Sequence, residues 1–128
     1  MKKQGHFAIL KRPLPGFQTL ALQDGWVLNY QEPLRVQCSR DGRTVLLGIA
    51  WQFLPERGTP MEEIETLCQK FPGTIPEEAL LEMEESWCGR YALLCQGVIY
   101  GDTCTLLPVF YSALGVSSDC TLLAELTG

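Results

Sequence analysis

The chain has 128 residues, 46 % hydrophobic and 20 % charged, with fifteen Asp and Glu against ten Lys and Arg for a net charge of −5. This length suits one domain spanning residues 1–128 with a real core and excludes a multidomain enzyme, while the composition excludes a disordered chain. The acidic balance repels polyanions, so no nucleic-acid or membrane partner is expected.

Met1, Lys2 and Lys3 imitate the start of a signal peptide, but Lys11 and Arg12 break the apolar run that follows, so no export signal is read. No stretch approaches the roughly 18 consecutive apolar residues of a membrane span. Residues 6–11, 26–30, 34–38 and 44–52 are rich in β-branched, aromatic and aliphatic side chains and are separated by Pro, Gly and Asp, which predicts four strands. Asp41-Gly42 between two of them predicts a hairpin, because Gly supplies positive φ without steric cost.

The period then changes. Thr59-Pro60-Met61-Glu62 matches a capping box, and Met61, Ile64, Leu67, Cys68 and Phe71 recur at helical spacing until Pro72-Gly73. Thr74-Ile75-Pro76-Glu77 predicts a second helix over 76–87, with Leu80, Met83 and Trp87 buried and the two helices forming a hairpin. Eight acidic residues lie between Glu62 and Glu85 with only Lys70 against them, a solvated helix face or a dock for a basic partner.

From Gly89 the period returns to two. Residues 90–95, the turn Gln96-Gly97 and residues 98–101 predict a hairpin, and 106–112 a strand that Pro108 confines to an edge, where a second copy can pair. Ser117-Ser118-Asp119 before Leu122, Leu123 and Leu126 predicts a capped terminal helix. The order reads as an α+β layered domain of antiparallel sheets with a helical hairpin, not a β-α-β alternation.

Six cysteines without an export signal predict reduced thiols in a cytoplasm. No two lie closer than seven positions and the only histidine is His6, so no metal site is expected, and no glycine pattern provides a nucleotide-phosphate cradle. No cofactor is expected.

The run Trp87-Cys88-Gly89-Arg90-Tyr91-Ala92-Leu93-Leu94, then Gly101-Asp102, Leu107-Pro108-Val109-Phe110-Tyr111 and Val116-Ser117-Ser118-Asp119, resembles the end of the N-terminal domain of asparagine synthetases. That domain is a class II glutamine amidotransferase of the Ntn-hydrolase type. Leu46-Leu47-Gly48-Ile49-Ala50-Trp51 is similar to its strand carrying Asn-Gly-Glu-Ile-Tyr-Asn, and the likeness covers roughly residues 43–126.

The resemblance implies an Ntn-hydrolase-like fold without glutaminase chemistry. The family's nucleophile is an N-terminal cysteine whose own amine is the base; here Lys2 follows Met1, and the first cysteine is Cys38. The family's oxyanion-hole Asn falls at Leu47, leaving the Gly48 amide, and its substrate-binding Asp falls at Cys88. Gly89, Asp102, Pro108, Tyr111 and Ser117-Ser118 match as scaffold. The family's ATP-using second domain has no counterpart in these residues.

The expected function is therefore a non-catalytic amidotransferase-like module that supports a synthetase-type protein partner or holds a ligand in the old cleft at Gly48, Cys88 and Gly89. No catalytic residue is assigned. The alternative is a hydrolase in the same cleft with Cys88 or Ser117 as nucleophile and His6 as base, since imidazole titrates near neutrality. Cys88 reads first as a buried inert thiol, because free Cys is among the most buried residue types.

Overall fold

The computed structural model describes residues 6–101, 110–112 and 115–117. In chain order these hold β1 (Phe7–Leu10), β2 (Gln18–Ala21), β3 (Val27–Tyr30), β4 (Val36–Cys38), β5 (Thr44–Gln52), α1 (Pro60–Lys70), α2 (Glu77–Glu84), β6 (Trp87–Cys95), β7 (Val98–Gly101), β8 (Phe110–Ser112) and β9 (Gly115–Ser117). The fold is mixed α+β, with two antiparallel sheets and two helices. Contacts divide it into two compact units: the described residues up to 34 and from 110 on, and those from 35 to 101.

The first unit is a five-stranded sheet in the order β2-β3-β1-β9-β8. Phe7-Ala8-Ile9-Leu10 is a continuous apolar run because β1 is buried along its whole length. Asn29, itself buried, accepts from the Leu14 amide at 2.8 Å and donates to the carbonyls of Arg12 at 3.1 Å and Ala8 at 3.3 Å. A single amide side chain thus pins the segment after β1 to the sheet and satisfies the buried Leu14 amide and Ala8 carbonyl together with the Arg12 carbonyl. β2 was not foreseen: Gln-Thr-Leu-Ala is a mostly exposed edge strand with no apolar alternation.

The second unit is a four-stranded sheet, β4-β5-β6-β7, covered on one face by α1 and α2. β5 and β6 pair over nine residues, from Thr44 opposite Cys95 to Gln52 opposite Trp87. Ile64, Cys68, Leu80 and Met83 from the helices bury against Leu46, Tyr91 and Leu93. Each large side chain so buried contributes about 1.5–3 kcal/mol.

Both predicted hairpins form. Gly42 takes φ 76, and Gln96 and Gly97 take φ 54 and 77, the two positive values of a type I′ turn. The Thr59 capping box is complete: Thr59 Oγ1 accepts from the Glu62 amide at 3.2 Å, and Glu62 Oε1 from the Thr59 amide at 3.0 Å.

Two expectations need correction. Thr74 does not cap the second helix, whose N-cap is Pro76 without a side-chain bond. That helix ends at Glu84, and Trp87, although buried, opens a strand instead of closing the helix. Ser117 is the last residue of β9, and the helix expected after it lies outside the described residues. The predicted segments 106–109 and 118–126 lie outside the described residues. Among the described residues, no helix is long and apolar enough to cross a membrane.

Candidate functional site

β5 and β6 meet at two glycines that a side chain would separate. Gly48 has φ 85 and Gly89 φ 131, and a β-carbon would lie 2.2 Å from the Arg90 carbonyl oxygen in the first case and from that of Ile49 in the second. Close approach of two backbones explains both glycines without a ligand.

On either side of this crossing the strands keep strict alternation. Leu46 and Ala50 face the helices, as do Trp87, Tyr91 and Leu93 across the ladder. Ile49 and Trp51 consequently share the other face with Leu47, Cys88 and Arg90. Leu47 is fully buried there, whereas Ile49, Trp51 and Phe53 are 43, 64 and 67 % exposed.

A groove of about 820 Å³ runs along the β4 side of β5, bounded by Arg35, Gly48, Gln52, Pro55, Thr59 and Glu62 among others. Its floor is strand backbone and its far wall is the first turn of α1. Thr59's amide and hydroxyl hold the Glu62 carboxyl below its ordinary range, so the wall carries a fixed negative charge. Arg35, exposed at the other side, makes no ion pair among the described residues.

The wall is tied to the sheet by Glu63, whose side chain is 11 % exposed. Its Oε1 accepts from the Trp87 indole at 2.8 Å and from the Gln52 amide, and its Oε2 lies 3.3 Å from the Arg57 guanidinium. Gln52 Oε1 in turn accepts the Leu54 amide at 2.9 Å. One carboxylate thus joins α1, β5, β6 and the turn after β5. Sequence reading placed Glu63 on the outward face; the available signal was a buried Trp, whose indole N–H needs an acceptor.

The residues singled out from sequence fall in both units. Gly48 lines the groove, but Cys88 and Gly89 do not. Cys88 is half-buried in β6, opposite Trp51. His6 belongs to the first unit, where its carbonyl accepts from the Gln31 amide at 3.0 Å. Ser117, also in the first unit, is fully buried and its hydroxyl donates to the Phe7 carbonyl at 2.8 Å. Among the described residues, no Cys, Ser or His lines the groove, and no three of His, Cys, Asp and Glu converge as a metal site would require. The groove presents backbone donors and acceptors, the Arg35 cation, the Glu62 anion, the Thr59 hydroxyl and a Trp51 rim.

Comparison of the chain with protein-family models, with curated proteins and with solved structures finds no match.

Proposed function

We propose that this chain is a non-catalytic domain of the class II glutamine amidotransferase type, Ntn-hydrolase-like in its layering, that serves a synthetase-type partner as a binding or accessory module. The observation that carries it is the β5 groove, which offers backbone and charged groups that bind and no Cys, Ser or His among its described lining. Leu47 adds support. At the position where the resembling family places its oxyanion-hole Asn, a fully buried aliphatic side chain offers no donor to a developing charge. Cys88, where that family has a carboxylate for the glutamine amine, supplies no anion of that kind.

Two measurements test the reading together. Incubation of the purified chain with glutamine is expected to release ammonia no faster than buffer. A tagged chain is expected to retain an ATP-using synthetase-type protein from its native cytosol. Sustained ammonia release abolished by Cys88→Ala would establish the hydrolase instead, and failure to retain such a protein would remove the accessory role.

A further inference from the structure

We propose, resting on the accessory-module reading for the partner's identity, that the free edge of β5 receives an extended segment of that partner as an added strand. The segment carries a basic, an apolar and an acidic residue in consecutive N-to-C order.

Opposed residues in an antiparallel ladder alternate between pairs that exchange hydrogen bonds and pairs that do not. The Phe53 amide donates to the Ser86 carbonyl at 2.9 Å, so the bonded pairs that precede it are Trp51–Cys88 and Ile49–Arg90. Ala50 and Gln52 therefore turn their backbone N–H and C=O away from β6. Gly48, two residues earlier on that side, donates to the Arg35 carbonyl at 2.8 Å, but the β4 ladder goes no further, and Pro33 has no N–H with which to extend it. Ala50 and Gln52 thus present two donors and two acceptors to the groove, as an edge that takes up a strand does.

Side-chain chemistry specifies the occupant. A residue opposite Trp51 shares the face on which Ile49, Trp51 and Phe53 are exposed, so an apolar side chain there covers surface now in water. Residues opposite Ala50 and Gln52 point to the other face, towards the first turn of α1. Arg35, bonded through its carbonyl to Gly48, lies towards the Ala50 end; Glu62 lies next to Glu63, which holds Gln52. Neither makes an ion pair among the described residues, so an acidic residue opposite Ala50 and a basic one opposite Gln52 complement them. Antiparallel addition, as elsewhere in this sheet, puts the residue opposite Gln52 first.

The probe is fluorescein-labelled Thr-Lys-Leu-Glu-Thr, titrated with the intact chain and read by polarisation. It is expected to bind at least about tenfold more tightly than Thr-Glu-Leu-Lys-Thr. N-methylation of its Lys and Glu amides, which leaves the protein untouched, is expected to weaken binding by about tenfold or more. Arg35→Glu, at an exposed position, is expected to prefer a probe with Lys in place of Glu. Equal binding of both orders, indifference to N-methylation, or no saturable binding at about 1 mM overturns the inference. If the probe behaves as expected while no synthetase-type protein is retained, the strand site stands and the accessory reading falls. If such a protein is retained equally by wild type and Trp51→Ala, the strand site falls and the accessory reading stands.

Discussion

Gly48 and Gly89 form a reciprocal pair across β5 and β6: a β-carbon on either would collide with the carbonyl of the residue beside the other, at 2.2 Å in both cases. Both have positive φ, so substitution combines backbone strain with a clash against main chain that has no free end to move. Gly48→Ala and Gly89→Ala are each expected to lose about 2–4 kcal/mol in denaturant unfolding. Gly42→Ala, in an open turn with nothing within 4 Å, is expected to lose only about 1 kcal/mol. Equal losses at all three sites would remove the crossing as the reason for the glycines.

Glu63 bonds Trp87, Gln52 and Arg57 through one carboxylate. Glu63→Ala leaves the Trp87 indole N–H without its acceptor and frees both Gln52 and Arg57, and is expected to cost about 2–3 kcal/mol with an altered Trp fluorescence spectrum. Glu65, two residues on, pairs at 3.5 Å with an Arg40 side chain that is 91 % exposed. Glu65→Ala is expected to change stability by no more than about 0.5 kcal/mol.

How far the sequence was legible varies with the distance over which each feature is determined. β5 could be bounded because the mostly apolar run from Thr44 to Gln52 lies between the Asp41-Gly42 turn and the breaker Pro55. The Thr59 capping box is likewise a contact between neighbours. Trp87 follows Met83 at helical spacing and reads as helix; its strand conformation depends on pairing with Gln52 and on Glu63, neither of which is local. The groove exists because β4 is shorter than the β5 it pairs with, a property of register that no single strand reveals.

Glu84 gives the fold a pH dependence of defined sign. Burial raises its carboxyl from 4.5 to about 7, and Oε2 has no hydrogen-bond partner. The folded state therefore holds a proton that the unfolded chain has already released, and stability falls as pH rises from 4.5 to about 7. The full shift corresponds to about 3 kcal/mol, and solvent screening of this half-buried carboxyl makes the loss smaller. Glu84→Gln is expected to be near neutral at about pH 4 and to raise the unfolding midpoint at about pH 8. A midpoint gain of equal size at both pH values would show that the carboxyl is not desolvated in the native state.

Asp41 works in the opposite direction. The Ser39 hydroxyl at 2.7 Å and the Arg43 amide at 3.0 Å hold its carboxyl far below the ordinary range, and Arg43 Nε lies 2.7 Å from its other oxygen. So held, the Arg43 guanidinium donates to the carbonyls of Cys68, at 2.8 Å, and Gly73, placing a cation at the C-terminal end of α1, where the helix dipole favours one. The depressed pKa contributes stability that is complete above the ordinary carboxylate range and is lost as pH falls towards the folded value. The Asp41 side chain is 38 % exposed, so solvent screening limits the effect to about 1 kcal/mol or less. Asp41→Asn is expected to be less stable than wild type at neutral pH, and the difference is expected to shrink as the solution is acidified. Acid titration of both proteins by circular dichroism checks this: parallel curves at every pH would mean that the Asp41 carboxylate contributes nothing to seating Arg43 on α1.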